Sequence, residues 1–201
     1  MVQMVNRPEF AFAYVAAQKM HGVCCPVNYR ISSGELAYNI DDSKPFILMV
    51  CASKLESALA AVKQAKHTPK HIIVASDKAV EGVICYKDYI ANASTEEPPY
   101  TCDYNIYDET TRLYTSGTTG KPKGVAMTSI NEVLSAHDVM IHFPMSYKDI
   151  TMNTTPWFHR GGLHCAGPCP TFYAGATLVI LGKFEARTAL KLVQKYKITF
   201  I

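Results

Sequence analysis

The chain has 201 residues, of which 48% are apolar and 18% are charged, and this length fits one large domain or two closely packed subdomains. Its formal net charge of +3 comes from 20 basic and 17 acidic residues spread along the chain, without the Lys/Arg cluster that nucleic-acid backbones require, so we expect no nucleic-acid partner. No apolar run reaches the roughly 18–20 residues of a membrane span, and the N-terminus lacks a secretory signal pattern, which predicts a folded cytoplasmic protein.

The cysteine pattern argues against a disulfide framework, because the count of seven is odd and two of the cysteines are adjacent. Two sets of residues can be considered as metal ligands: His21 with Cys24 and Cys25, and His164 with Cys165 and Cys169. Neither set has the paired C-x-x-C spacing of structural zinc sites. We therefore expect reduced thiols that pack as small apolar side chains, and no metal ligand in this chain.

The first elements alternate between strand and helix patterns. Residues 1–5 are predicted to be the end of a buried strand. Asn6 is predicted to cap a helix whose first turn contains Pro8, since Asn is a good N-cap and Pro suits the first turn. A strand is predicted at residues 23–27.

A capping box, Ser32 with Glu35 three residues later, opens the second predicted helix. The elements that follow are short apolar runs on either side of a helical segment, predicted as strand 46–50, helix 55–65 and strand 71–75. Strands that alternate with helices in this way predict an α/β fold with a parallel-rich sheet covered by helices.

Residues 91–103 have the only linker-like composition in the chain, with Ser94, Glu96, Glu97, Pro98 and Pro99. We place a subdomain boundary there, so that residues 1–98 form a first α/β subdomain and residues 99–201 form a second. The chain begins on a strand-like segment and ends on another at residues 197–201, whereas domain boundaries normally fall in polar linkers. Both subdomains are therefore expected to be truncated, and the chain is expected to be a fragment of a longer protein.

The second half continues the alternation after the linker. The predicted elements are strand 111–115, strand 125–128, helix 131–142, strand 150–153, helix 163–173, strand 177–181 and helix 185–196. Pro168 and Pro170 favour a kink or a late start in the helix that contains them.

A glycine-rich loop between the first two of these strands has the sequence YTSGTTGKPKG, residues 114–124. Backbone N–H groups that converge on a triphosphate need residues that tolerate positive φ and close approach, which its three glycines provide. Four hydroxyls add hydrogen-bond donors, and two lysines add positive charge. The predicted nucleotide-binding residues are Thr115, Ser116, Gly117, Thr118, Thr119, Gly120, Lys121, Lys123 and Gly124.

Two other interpretations of this loop are weaker. The Walker loop, G-x-x-x-x-G-K-[S/T], needs a longer glycine spacing and a hydroxyl residue where Pro122 stands, and it leads into a helix rather than a strand. A simple solvent-exposed turn between strands has no need for two lysines and four hydroxyls within nine positions.

The loop resembles the long signature of the adenylate-forming superfamily, which contains acyl-CoA synthetases, aryl-CoA ligases, luciferases and nonribosomal adenylation domains. Residues 26–30, PVNYR, are more similar to acyl-CoA and aryl-CoA ligases, because peptide-synthetase domains tend to carry Asp in place of Asn28. Residues 155–159, TPWFH, resemble the next family motif. The resemblance implies a partial acyl-CoA synthetase N-terminal domain with αβαβα layers.

The resemblance also implies a reaction in which a fatty or aryl carboxylic acid and ATP form acyl-AMP, which CoA converts to a thioester. ATP, Mg²⁺ and coenzyme A are the implied cofactors, with the main protein ligand of Mg²⁺ outside this chain, so the fragment alone is expected to be inactive. By the same match, Trp157, Phe158 and His159 are implied to line the acyl site, with His159 as the catalytic or gating residue. Ser129 departs from the family, which often has His at this position.

Several alternatives stay open at this point. The chain alone could be a non-catalytic nucleotide-binding module, or the acceptor could be a carrier protein or oxygen rather than CoA. Neither the identity of the acid nor the oligomeric state can be inferred from the sequence.

Overall fold

A computed structural model of the chain describes residues 1–76, 80–99, 103–116 and 120–201. The helices are α1 (Pro8–Lys19), α2 (Ser33–Ser43), α3 (Leu55–Gln64), α4 (Tyr86–Ile90), α5 (Ser129–His142), α6 (Arg160–His164), α7 (Pro168–Tyr173) and α8 (Ala186–Tyr196), with a 3₁₀ turn at Ala52–Lys54. The strands are β1 (Val2–Gln3), β2 (Ile47–Cys51), β3 (His71–Ala75), β4 (Ile84–Cys85), β5 (Glu109–Thr115), β6 (Lys123–Thr128), β7 (Ile150–Asn153) and β8 (Thr177–Ile180).

The first sheet is parallel throughout, with strand order β1-β2-β3-β4. Its central strands are continuous apolar runs because both faces are covered. On one face Leu48 and Val50 pack with Ile40 of α2 and Ala58 of α3. On the other face Met49 belongs to a cluster that contains side chains of α1, α5 and α6. The sequence-based prediction of an α/β fold with parallel sheets between helices is confirmed.

Residues 23–27 do not form the predicted strand but an extended connection between β1 and β5. The N–H of Val2 donates to the carbonyl of Cys25 (2.9 Å), and the N–H of Arg112 donates to the carbonyl of Cys24 (2.9 Å). Pro26 has no N–H to donate, which limits ladder formation to isolated bridges. This connection joins the first sheet to the next pair of strands by backbone hydrogen bonds.

Strands β5 and β6 form an antiparallel hairpin, an exception to the expected parallel arrangement, and β7 and β8 form a parallel pair. Phe200 forms an isolated parallel β-bridge with Thr151 of β7. A small separate core contains Met152 of β7, Leu181 just after β8, and Ala189 of α8.

The single helix predicted at residues 163–173 is wrong, because the chain forms α6 and α7 with a break between them. Ala166 in the break has a φ of 49°, which cannot continue a helix. Pro168 is the first residue of α7, where its missing N–H costs nothing. The helix cap assigned to Asn6 is also wrong, since α1 has Arg7 as its N-cap and begins at Pro8.

Residues 91–99 are exposed and contain no helix or strand, in keeping with their linker composition. The division of the chain at residues 98 and 99 stays a prediction. The six cysteines in the described part of the chain are free thiols, and five of them are buried. Burial raises the pKa of the Cys24 thiol to about 12. None of the helices described is both long and apolar enough to cross a bilayer.

Candidate functional site

The described residues of the glycine-rich loop lie at the end of the β5–β6 hairpin where the chain passes from one strand to the other. Antiparallel pairing places Tyr114 opposite Gly124 and Thr115 opposite Lys123, so Ser116, Gly120, Lys121 and Pro122 lie beyond the last pair of the ladder. The predicted residues Gly117, Thr118 and Thr119 lie outside the described residues. The other predicted loop residues are exposed to solvent, namely Thr115, Ser116, Gly120, Lys121, Lys123 and Gly124.

The two lysines of the loop carry positive charge that no described carboxylate neutralises through an ion pair. The ammonium of Lys121 lies 5.9 Å from the centroid of the Tyr38 ring, within the range of a cation–π contact. Gly120 beside it has a φ of +83°, a conformation that favours glycine. The described part of the loop therefore offers two exposed lysines without an ion-pair partner among the described residues, beside the positive-φ backbone of Gly120.

The loop end of the hairpin is anchored to α2. The Tyr114 hydroxyl donates a hydrogen bond to Oδ2 of Asp42 at 2.6 Å. Burial and this hydrogen bond raise the pKa of Tyr114, so the phenol stays protonated as the donor. Across the hairpin, a Cβ at Gly124 would lie 2.9 Å from Cδ of Arg112, whose guanidinium is held by Glu109 through two bonds of 2.7 Å.

The second predicted segment, residues 155–159, presents its side chains in different directions. Trp157 is buried, and its ring packs edge-to-face on Phe10 with centroids 5.5 Å apart. Phe158 is half-buried and packs on Tyr29 at 5.6 Å, which brings the 26–30 and 155–159 segments together. This contact involves Tyr29, a residue that the sequence pattern did not single out.

His159 is exposed and occupies the N-cap position of α6. Its Nδ1 accepts a hydrogen bond from the N–H of Gly161 at 3.2 Å, which leaves Nε2 as the protonated nitrogen of the neutral ring. Among the described residues, no hydrogen bond or ring contact links His159 to Lys121 or Lys123.

Asn6 holds the 155–159 segment in place, a role that the sequence pattern did not reveal. Its amide Nδ2 donates to the carbonyl of Thr155 at 3.0 Å, and its Oδ1 accepts from the N–H of Trp157 at 2.9 Å. Both partners lie about 150 residues away in sequence, so no local signal could have identified them. Gly162 then lets α6 pass close to this segment, since a Cβ there would lie 2.0 Å from the carbonyl oxygen of Pro156.

The comparison with known families decides the classification. A family model described as "AMP-binding enzyme" matches residues 1–201. The chain belongs to the AMP-binding enzyme family. Among curated relatives, the crotonobetaine/carnitine–CoA ligase of Salmonella paratyphi A is 30% identical over 197 residues, which are 96% of this chain and 38% of that protein. The chain thus spans 38% of the length of this relative.

Solved structures of other enzymes share the fold. The ATP-bound MatB of Rhodopseudomonas palustris is 27% identical, with a TM-score of 0.78 over 96% of this chain and 37% of that chain. A putative long-chain-fatty-acid CoA ligase from Rhodopseudomonas palustris CGA009 is 19% identical, with a TM-score of 0.84 over 98% of this chain and 48% of that chain. At that lower identity the likeness concerns the fold alone.

The family and the fold class predicted from the sequence are confirmed. AMP-binding enzymes of the acid–CoA ligase type activate acids by adenylation and in general use ATP, Mg²⁺ and CoA. The roles of individual loop residues and of residues 157–159 stay predictions.

Proposed function

We propose that this chain supplies the pyrophosphate-binding loop and part of the acyl-binding wall of an AMP-forming acid–CoA ligase. The observation that carries the proposal is the β5–β6 hairpin, which presents Lys121 and Lys123 without an ion-pair partner among the described residues, next to Gly120. Membership of the AMP-binding enzyme family supports the same activity.

In the proposed reaction, a carboxylate oxygen of the acid attacks the α-phosphorus of ATP. The bond between the α-phosphorus and the bridging oxygen breaks, and pyrophosphate leaves with that oxygen. The thiolate of CoA then attacks the acyl carbonyl carbon, forming the thioester and releasing AMP. Negative charge grows on the leaving pyrophosphate in the first step, so cations that are already in place stabilise the transition state.

Lys121 and Lys123 are the residues we assign to that charge. Their ammonium groups are exposed, and an anion that binds between them need not displace a described carboxylate. The hydroxyls of Thr115 and Ser116, exposed at the start of the loop, are proposed as further donors to phosphate oxygens.

Mg²⁺ does not fit the carboxylates that contact hairpin side chains. Glu109 of β5 accepts two hydrogen bonds from Arg112, and Asp42 of α2 accepts a hydrogen bond from the Tyr114 hydroxyl. The proposal therefore assigns no magnesium ligand to these residues and no step to a metal that they hold.

On the acyl side, Phe158 and His159 are proposed to contact the acid. Phe158 is only half-buried against Tyr29, and His159 is exposed, with its Nδ1 occupied by the N–H of Gly161 and its Nε2 left for a ligand. The buried position of Trp157 favours an indirect contribution, in which the ring fixes the backbone of its two neighbours.

The test is carboxylate-dependent exchange of pyrophosphate into ATP, using the protein encoded by the complete coding sequence. The acid panel contains crotonobetaine and carnitine, long-chain fatty acids, and aryl acids such as anthranilate, following the names of the similar proteins. Product analysis with CoA and with a carrier-protein phosphopantetheine distinguishes the two acceptors. Exchange with none of these acids would contradict the proposed activity.

Lys123→Ala tests the role of the loop in the same assay. Loss of a charge-assisted contact of roughly 1.5–3 kcal/mol predicts about a 10- to 100-fold lower kcat/KM for exchange. Lys63→Ala on α3, also an exposed lysine, is the matched control and should leave the rate unchanged. Equal rates for the two variants would contradict the assignment of Lys123 even if the enzyme is active.

A further inference from the structure

A buried polar cluster lies between α1, α5, α6 and α7, apart from the exposed loop. Glu132 of α5 is 6% exposed, and Tyr14, His164 and Cys169 around it are also buried. Donor atoms of Glu132, His164 and Cys169 all lie within 4.8 Å of one another. These separations are of the order found among ligands of one tetrahedral metal ion, whose metal–ligand distances are about 2.0–2.3 Å.

The carboxylate of Glu132 lies close to two donors. The Tyr14 hydroxyl donates to Oε2 at 2.5 Å, and Nε2 of His164 lies 2.7 Å from the same oxygen. Burial acts to raise the pKa of Glu132, but the bonds from His164 and Tyr14 outweigh it and the pKa is lowered. The group is therefore an ionised carboxylate in the protein interior. Its other oxygen, Oε1, has no hydrogen-bond partner among the described residues.

His164 lies between two oxygen atoms. Nδ1 of His164 is 3.3 Å from the carbonyl oxygen of Arg160, and Nε2 is 2.7 Å from Oε2 of Glu132. Without a metal ion, a proton on Nε2 is donated to the carboxylate; with the proton on Nδ1, the lone pair of Nε2 can bind a metal ion. A backbone carbonyl on the remote nitrogen is also the usual support of a histidine that binds a metal through the other nitrogen.

Cys169 supplies a sulfur donor to the cluster. Its thiol lies 3.5 Å from the backbone carbonyl of Glu132, a weak hydrogen bond that a metal ion can replace. Sulfur and imidazole are ligands that zinc prefers, whereas magnesium and calcium require sites built almost entirely from oxygen.

The charges balance for a divalent ion. One Zn²⁺ bound by the Glu132 carboxylate, a neutral His164 imidazole and a Cys169 thiolate gives a net charge of zero, with the thiol proton released to solvent and the imidazole proton on Nδ1. A buried site that stays neutral avoids the large desolvation cost of a net charge.

We propose that Glu132, His164 and Cys169 bind a Zn²⁺ ion through three side-chain ligands, with the Tyr14 hydroxyl donating to the liganding carboxylate. The ion would fasten α5, which follows the hairpin, to α6 and α7, which follow the 155–159 segment. The proposal rests on this geometry alone and is independent of the proposed ligase activity.

The experiment is metal analysis of the full chain refolded with and without Zn²⁺, followed by replacement of zinc with Co²⁺. We expect about one zinc per chain and, with Co²⁺, a near-ultraviolet charge-transfer band that only a thiolate ligand produces. A folded wild-type chain that takes up no zinc would overturn the proposal without the need for any variant.

Matched serine variants locate the sulfur ligand. Cys169→Ser should lose the sulfur-to-cobalt band, whereas Cys165→Ser, at an exposed cysteine four residues earlier, should keep it. Tyr14→Phe removes only the hydrogen bond to the carboxylate and should weaken zinc binding by about 10- to 100-fold. The opposite result, a band lost in Cys165→Ser and retained in Cys169→Ser, would place the metal elsewhere and refute the proposed site.

Discussion

At the scale of single residues, Gly161 and Gly162 are neighbours in α6 that differ in the space around them. A Cβ at Gly162 would lie 2.0 Å from the carbonyl oxygen and 2.5 Å from the carbonyl carbon of Pro156, both backbone atoms. The nearest atom to a Cβ at Gly161 is Nδ1 of His159 at 3.6 Å, an ordinary van der Waals contact. The two positions therefore form a matched pair for substitution.

Gly162→Ala is expected to destabilise the protein by about 3 kcal/mol or more, since neither α6 nor the Pro156 backbone can move without disturbing the buried Trp157. Gly161→Ala should change the free energy of unfolding by less than about 1 kcal/mol, because alanine fits there and favours helix. Urea unfolding of the two variants measures the difference. Similar urea midpoints for the two variants would show that a Cβ at position 162 fits without displacing the Pro156 backbone.

At the scale of elements, the capping box of α2 was predicted correctly because its signal is local. The hydroxyl of Ser32 accepts from the N–H of Glu35, and the Glu35 carboxylate accepts from the N–H of Ser32. The strands predicted at residues 71–75 and 150–153 likewise coincide with β3 and β7. The helix predicted across the break at residues 165–167 failed, because periodicity alone does not reveal the left-handed conformation of Ala166.

Ser32→Ala should destabilise the protein by about 1 kcal/mol at neutral pH, the usual effect of removing an N-cap hydroxyl. The backbone and side-chain hydrogen bonds of Ser32 lower the pKa of Glu35 from its ordinary value of 4.5. A lowered carboxyl pKa contributes stability that is complete above the ordinary value and is lost as the pH falls through the lowered value. The difference between wild type and variant should thus shrink below about pH 4.

Chemical denaturation at several pH values measures this difference. Ser33→Ala is the control, because its hydroxyl only accepts a bond from Gln64 at the protein surface and takes no part in the cap. A Ser32→Ala effect that is independent of pH would show that Glu35 contributes nothing to the cap.

At the scale of the whole molecule, the contacts that assemble the site join residues far apart in sequence. Asn6 looked like a helix cap because it precedes Pro8, yet its amide binds the backbone of Thr155 and Trp157. Glu132 was not singled out at all, since its buried partner His164 lies 32 residues further on. Local patterns predicted the glycine-rich loop and most elements, whereas these pairings exist only once the sheets and helices have packed.

Asn6→Ala tests whether such a contact stabilises the whole fold. The variant leaves the N–H of Trp157 and the carbonyl of Thr155 without their partner in a largely buried place, at a cost of about 2–3 kcal/mol. Trp157 is the single tryptophan of the chain and is 1% exposed, so its fluorescence reports global unfolding directly. We expect a lower urea midpoint with an unchanged native emission maximum, because the ring still packs on Phe10.

Asn105→Ala is the control for this variant, since the Asn105 side chain accepts a bond only from the nearby N–H of Tyr107 in an exposed turn. Its midpoint should stay close to that of the wild type. If Asn6→Ala unfolds at the same midpoint as Asn105→Ala, the long-range bonds add no net stability and the 155–159 segment is held by the packing of Trp157 on Phe10 alone. If instead the native emission shifts to the red at low urea, the amide of Asn6 is what keeps the Trp157 ring in the core, and residues 158 and 159 depend on it for their positions.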